Sequence, residues 1–344
     1  MSAPLVSICL PSLNAGSFLE SRLKSLLAQT VSNWELIVCD SHSDDGSWEF
    51  FQEFESDSRV RLYQVPREGL YAGWNECLKR ARGQYVYMAT ADDTCEPNLL
   101  EELLKPLESR PELALSVCDY QEIDEEGRAT ETALHKSRLL YPDAFGRTCL
   151  RNGNAEFLLH ASLGLTWVTM TSVLFRRDLL ERTGLFNTNA GVVADQEWAM
   201  RASLFSDIAW TPKKLATWRR RAGQATPNRH WTWWEHRTLL QAIERVLEGP
   251  ASGAPGEWQS IAGWKDRITE SRRLQMRDAY GAYRWVLKKS PMQFGRGVVA
   301  ALRSEPGWAL GRAFKGFPAG PELDLDFGKL ASGLLEDFGV ELMA

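Results

Sequence analysis

The sequence predicts an α/β fold with a mostly parallel, helix-covered sheet, on three observations. Short apolar strands alternate with amphipathic helices from residue 5 to residue 93. The strand Tyr85–Ala89 is apolar at every position, as suits a sheet covered on both faces. Three strands end in polar clusters, and an open α/β sheet gathers such ends into one crevice.

Leu5-Val-Ser-Ile-Cys-Leu10 reads as the first strand, closed by Pro11-Ser-Leu-Asn14. A helix follows, with Leu19, Leu23, Leu26 and Leu27 along one face and a capping box expected from Ser17 and Glu20. Trp34–Cys39 is a second strand that runs into Asp40-Ser-His-Ser-Asp-Asp45-Gly46-Ser47. Val60–Val65 reads as a third. Leu70, Trp74, Cys77, Leu78 and Ala81 then recur at helical spacing before Tyr85–Ala89. The order β-α-β-α-β-α-β means a parallel, helix-covered sheet.

The fourth strand ends in Asp92 and Asp93. Two adjacent carboxylates at a strand's C-terminal edge are costly without a cation, and a divalent metal carrying a diphosphate meets that need. Ala-Asp-Asp-Thr is equally good chemistry for a solvated turn, so these residues alone leave both readings open.

Composition narrows the classes. A chain of 344 residues, 44% hydrophobic, can bury one large core plus an appendage. The net charge of −5 argues against a general nucleic-acid binder. Six cysteines without metal-type spacing suggest a reducing compartment and no disulfide framework. With no signal peptide at the N-terminus and no apolar run of spanning length, the expected location is the cytoplasm.

The motifs, taken in order, resemble the family 2 glycosyltransferases of the GT-A fold. The matching pieces are Val6–Asn14, Glu35–Ser47, Glu68–Asn75 and Ala81–Asp93, followed by Thr171–Phe186, Ala194–Arg201 and Trp218–Gln224. Each is weak alone; their order and spacing are specific. The resemblance covers roughly residues 4–228 and implies a GT-A catalytic domain over 1–228. Its nucleotide-sugar half is about 1–115 and its acceptor half about 116–228. The implied reaction is inverting transfer of a sugar from a nucleotide diphosphate, UDP by default with GDP and dTDP behind, to a glycan or lipid-linked acceptor. Surface polysaccharide or glycoconjugate assembly is the implied process.

The same resemblance assigns roles. Pro11, Ser12, Asn14, Asp40, Ser41, Tyr71, Asn75, Ala91 and Asp92 border the nucleotide, with Asp40 accepting from the base. Asp92, with Asp93 beside it, holds Mg2+ or Mn2+ against the diphosphate; Thr90 stands where the family places the first acid of its DxD signature. Asp195 is the expected general base at a helix start, with Ala194 in place of a preceding Glu. An N-cap role is the alternative. At the helix N-terminus its charged form is favoured, so an ionised carboxylate is expected at neutral pH. Arg221 falls where many relatives have His; it cannot ligate a cation but can clamp phosphate with Arg219, unless Arg219–Arg221 is a solvated basic loop. Among the 14 tryptophans, Trp167 with Thr166 and Thr169 is a candidate acceptor wall.

Beyond residue 228 the resemblance ends, and 229–344 reads as a mainly helical extension with a breaker-rich loop at 249–256. From Arg284 to Lys315 seven basic residues and one acid interleave with aromatic and aliphatic ones. That pattern suits peripheral contact with anionic lipid on the inner face of the cell membrane, or a hairpin packed on the catalytic domain with its cations turned outward. Two other functions compete with glycosyl transfer. A nucleotidyltransferase would want a basic, glycine-rich loop after the first strand, and Pro11–Gly16 has no basic residue. A degenerate nucleotide- or glycan-binding scaffold is prompted by Thr90, Ala194 and Arg221.

Overall fold

The computed structural model describes residues 3–130, 140–164, 167, 169–221, 233–249, 268, 299, 310 and 340–343. The expected alternation is present in the first half: β1 (Val6–Ser12), α1 (Gly16–Leu27), β2 (Trp34–Asp40), α2 (Ser47–Gln52), β3 (Val60–Gln64), α3 (Leu70–Arg80) and β4 (Tyr85–Met88). There follow α4 (Leu99–Ser109), β5 (Leu115–Ile123), β6 (Cys149–Arg151), α5 (Gly153–Leu163), β7 (Val173–Arg176), α6 (Leu179–Thr183), α7 (Ala194–Ser203), β8 (Ile208–Arg219), α8 (Trp233–Glu248) and β9 (Val340–Leu342).

The strands form one sheet in the order β3-β2-β1-β4-β7-β5-β8-β6-β9. β1 to β4 pair in parallel, β7 runs against both β4 and β5, β5 and β8 are parallel, and β6 runs against β8 and β9. Every described strand except β6 and β7 therefore points the same way, which is the mostly parallel mixed sheet of a GT-A fold. β9 lies at the sheet's edge, so the last described residues of the chain complete the same sheet that residue 6 begins.

Alternate side chains of each strand enter opposite layers, as the two-residue period of a strand requires. Cys9, Ile37, Val86 and Met88 pack on one face with Trp74, Cys77 and Leu78 of α3 and Trp198, Ala199 and Ala202 of α7. Ile8, Leu10, Leu36, Val38, Tyr85 and Tyr87 pack on the other, under α1 and α4. Leu99, Leu100, Leu103, Leu104 and Leu107 give α4 its buried face, each on the order of 2 kcal/mol of hydrophobic stabilisation. All six cysteines are buried free thiols serving as small apolar residues.

Two glycines mark backbone close approaches. A Cβ on Gly83 would lie 2.6 Å from the Ser7 nitrogen, and one on Gly153 only 2.2 Å from the Ser203 carbonyl oxygen. The capping box expected at Ser17 and Glu20 does not form. α1 starts earlier, at Gly16, and the N–H groups at its start are satisfied from the loop after β2 and the first residue of α2: Gly16 donates to Asp45 Oδ2 at 2.9 Å and the N-cap Ala15 to Ser47 Oγ at 3.2 Å. A neighbour in space has replaced the local cap. Among the described residues no helix is long and apolar enough to cross a membrane. The basic stretch 284–315 lies outside the described residues, apart from Val299 and Leu310, which are exposed.

Candidate active site

The turn after β4 is built by its partnership with the end of β8. Opposite Cys118–Tyr120 the pairing of β8 shifts register twice, so this strand bulges around Pro212 and swings its last residues under the turn. Thr94 N–H donates to Thr217 Oγ1 at 2.7 Å, Thr217 N–H donates to the Thr94 carbonyl at 3.0 Å, and Cys95 bridges to Ala216. Asp92 and Asp93 are thereby pressed against Trp218–Arg221.

The two carboxylates then part company. Asp93 is buried and accepts the Arg219 N–H at 2.7 Å and the Thr90 hydroxyl. Burial, with the Asp92 charge next to it, pushes its carboxyl up to about 6. Its oxygens are spent inside the protein, so its expected role as a metal ligand does not fit. Asp92 is only partly buried and faces the cavity, with Oδ2 accepting from Arg221 Nε at 2.9 Å. Arg219 is no solvated loop residue. It is 5% exposed, and its guanidinium donates to the carbonyls of Asp92 (2.5 Å), Asp124 (3.1 Å) and Glu125 (2.8 Å), which braces the turn. Arg221, with its guanidinium 5.3 Å from the Phe18 ring, is the more exposed of the pair, and both line the cavity.

A cavity of about 560 Å3 opens beside Asp92. Pro11, Ser12, Ser41, Tyr71, Ala91 and Asp92 line it from the first half of the chain, and Asp195, Arg219 and Arg221 from the second. Asn14, Asp40 and Asn75 do not reach its wall. Asn14, at φ 51°, donates to Asp44 Oδ1 at 2.9 Å and accepts the Asp44 N–H at 3.0 Å, joining two loops. Asp40 is fully buried, with its oxygens accepting the Ser43 N–H at 2.8 Å and hydroxyl at 2.5 Å. Asn75 makes a paired bond to the Phe186 backbone, at 2.8 and 3.0 Å, that ties α3 to the second half. In each case a polar side chain expected at the nucleotide is consumed by holding a loop.

The cavity also has walls that sequence reasoning passed over. Arg67 and Glu68 line it, and Arg67 donates to the carbonyls of Ser41 and His42, which fixes the loop after β2. Its position just before Gly69 was the available signal. Trp167 is not an acceptor wall: it is 2% exposed, donates from Nε1 to the buried Glu156 at 3.0 Å, and meets the His160 ring edge-on. Thr169 and Met170, from the same segment, do line the cavity, while Thr166 lies outside the described residues.

Asp195 sits in the first turn of α7, one residue inside it, and is therefore not the N-cap; Val193 holds that position. Its Oδ1 accepts the Gln196 N–H at 2.8 Å. One edge is open to the cavity, yet the protein around it is close enough that burial raises its carboxyl above the ordinary range, against the bond from the Gln196 N–H. Desolvation outweighs the helix N-terminus, which by itself favours the charged form.

Among the described residues no group of three or more His, Cys, Asp or Glu side chains could hold a metal ion. A metal held by protein ligands alone does not fit this site. One carboxylate, Asp92, fits a cation whose remaining ligands are diphosphate oxygens and water.

The comparisons with known proteins agree with this fold. TuaG of Bacillus subtilis (strain 168), whose name assigns it provisionally to teichuronic acid biosynthesis as a glycosyltransferase, is 32% identical over 150 residues. That match covers 43% of this chain and 59% of TuaG, so the chain spans under two thirds of that relative's length. The Escherichia coli UDP-Glc:alpha-D-GlcNAc-diphosphoundecaprenol beta-1,3-glucosyltransferase WfgD is 40% identical over 98 residues, 28% of this chain and 38% of WfgD. The crystal structure of S. aureus TarS 1-349 in complex with UDP-GlcNAc superposes with a TM-score of 0.60 at 14% identity, covering 96% of this chain and 92% of that one, a likeness of fold. The sequence model described as Glycosyl transferase family 2 matches residues 7–182, just over half the chain, and the chain belongs to that family.

Proposed function

We propose that the protein is an inverting glycosyltransferase that moves a sugar from a UDP-sugar to an acceptor hydroxyl in polysaccharide or glycoconjugate assembly. The observation that carries this reading is that Asp92 and Asp195, from opposite halves of the chain, line one cavity. The family supplies the reaction class, and the names of WfgD and of the TarS complex favour UDP. The names of TuaG and WfgD favour a surface glycan or its lipid-linked precursor as product.

In this mechanism Pro11, Ser12 and Ser41 border the nucleotide and Asp92 and Arg221 receive the diphosphate. A divalent cation held by Asp92 and the diphosphate would supply Lewis-acid neutralisation of the leaving group. Asp195 takes the proton of the acceptor hydroxyl as that oxygen bonds to the anomeric carbon. The bond from that carbon to the diphosphate breaks, and its electron pair leaves with UDP. Attack opposite the leaving group inverts the anomeric configuration. The raised carboxyl of Asp195 suits a base that must hold a proton once it has received it.

Calorimetric titration with UDP, GDP and dTDP, each with and without Mn2+, tests the donor half. UDP should bind tightest and its affinity should rise with Mn2+. Asp195→Asn tests the other half: UDP binding should persist while transfer from UDP-glucose or UDP-N-acetylglucosamine falls at least about a hundredfold, the usual contribution of a general base. Transfer at the wild-type rate in that variant would remove Asp195 from the mechanism. Loss of nucleotide binding under every condition would favour the scaffold reading.

A further inference from the structure

A closed ring of hydrogen bonds frames the turn that carries Asp92 and Asp93. Tyr87, in β4, leads into that turn, and its hydroxyl accepts from Arg22 Nη2 at 3.5 Å and donates to the Thr171 carbonyl at 2.9 Å. The Thr171 hydroxyl donates to the Thr217 carbonyl at 3.2 Å. Thr217, near the end of β8, closes the ring through its paired bonds with Thr94, just past the turn. Arg22, Tyr87 and Thr171 are fully buried, so water does not compete for their bonds.

The chemistry of these groups gives the ring a direction. A guanidinium can only donate, so the Tyr87 hydroxyl accepts from Arg22 and spends its own proton on Thr171. The Thr171 hydroxyl has one proton, and the Thr217 carbonyl takes it. Thr171 Oγ1 also lies 3.1 Å from Thr169 Oγ1, and on that contact it can only accept, so Thr169 donates. Thr169 Oγ1 in turn takes the Thr171 N–H at 3.4 Å. With its proton drawn inward, Thr169 keeps one lone pair and has no proton to give. Thr169 lines the cavity, whereas Thr171 behind it does not. The wall therefore carries a fixed hydrogen-bond acceptor, which a hydroxyl can satisfy and a carbonyl, ether or phosphate oxygen cannot.

We propose that Thr169 is a specificity-determining residue for the donor, taking a hydrogen bond from a hydroxyl of the sugar that is transferred. This rests on Asp92 as the diphosphate end of the site and on UDP as the nucleotide. In the donor one oxygen joins the sugar to the diphosphate, so the sugar lies beside whatever surrounds Asp92. Thr169 hangs from the hydrogen-bonded ring that frames the Asp92 turn, whereas Asp195, which meets the acceptor, stands on α7. Met170, next along the cavity wall, offers an apolar surface to the C–H face of the sugar. A sugar hydroxyl replaced by hydrogen or fluorine leaves the Thr169 lone pair without a partner, which is how a polar wall discriminates between sugars.

The test is calorimetric titration of the full-length protein with UDP, UDP-glucose and UDP-N-acetylglucosamine, in wild type, Thr169→Val and Thr169→Ser. Valine keeps the shape and removes the hydroxyl; serine keeps the hydroxyl. Thr169→Val should bind UDP as wild type does and lose about tenfold for whichever UDP-sugar wild type binds the tighter, the worth of one hydrogen bond. Thr169→Ser should restore that affinity. An unchanged ratio of UDP-sugar to UDP affinity in Thr169→Val overturns the proposal, even where transfer falls, since the hydroxyl then serves the acceptor. Wild type supplies a second measurement that needs no variant: deoxyfluoro analogues of the same UDP-sugar, with one hydroxyl replaced at a time. Fluorine cannot donate, so one analogue should bind about tenfold more weakly than its parent. Equal binding by all of them also overturns the proposal. Failure of wild type to bind UDP at all is a separate result, which removes the UDP reading and the proposal with it.

Discussion

Asp93→Asn separates the two acids that end β4, and its effect can be worked out in advance. The Asp93 carboxyl is raised to about 6 by burial first and by the Asp92 charge second. In the unfolded chain it titrates near 4. Below about pH 4 both states hold the proton, and Asp93 imposes no electrostatic penalty. Between about 4 and 6 the folded protein holds a proton that the unfolded chain has released, so stability falls as pH rises. Above about 6 both are ionised, and the whole penalty of roughly two pH units, about 3 kcal/mol, is present. An asparagine can keep both contacts, accepting from the Arg219 N–H through its oxygen and donating to the Thr90 hydroxyl through its nitrogen. Urea denaturation of both proteins from pH 4.5 to 8 should show Asp93→Asn gaining about 1–3 kcal/mol on wild type as pH rises, all of it between about 4 and 6. The opposite trends of other carboxylates cancel in the difference between the two proteins. A constant offset across that range, or a variant weaker at pH 8 than at pH 4.5, would refute the reasoning.

Other consequences follow from particular contacts. Arg221→Ala removes the cation paired with Asp92 and should weaken metal-free UDP binding about tenfold, while binding in Mn2+ falls less; isothermal calorimetry reads both. Equal losses with and without Mn2+ would mean that Arg221 and the metal do not share the diphosphate charge. Gly153→Ala drives a methyl into the Ser203 and Ser206 carbonyls, at 2.2 and 2.5 Å, and should cost about 3 kcal/mol in chemical denaturation. A loss below about 0.5 kcal/mol would show that the joint between α5 and the end of α7 can open freely.

The first half of the fold was legible because its signals are local. Apolar runs, helical spacing and turn residues from Leu5 to Asp93 each report on their own segment, and a parallel order follows from their alternation. The second half depends on pairings that no local pattern records: β7 inserts against the direction of β4 and β5, and β8 bulges around Pro212 to reach the turn at Asp92. The capping box at Ser17 had the right residues but lost to Asp45, which reaches Gly16 across a loop. Asn14, Asp40 and Asn75 stand outside the cavity wall for one physical reason. A short polar side chain that can bind a nucleotide can as easily bind a nearby backbone, and only the folded distances decide which partner it takes.

Asp92 and Asp93 make the same point at the centre of the site. As sequence they are equivalent, two acids beyond a strand, and both were assigned to a metal. Once the chain folds, alternation around the turn sends one carboxylate outward to Arg221 and the other inward to Thr90 and the Arg219 backbone. The inner acid fixes the strand end from which the outer one is presented, and it does so at a desolvation penalty that rises with pH. If Asp93→Asn is more stable at neutral pH yet binds UDP less well, the carboxylate at position 93 is retained for placing Asp92 rather than for folding. Greater stability with unchanged binding would assign Asp92's placement to Arg219 alone, whose bond to the Asp92 carbonyl survives the substitution.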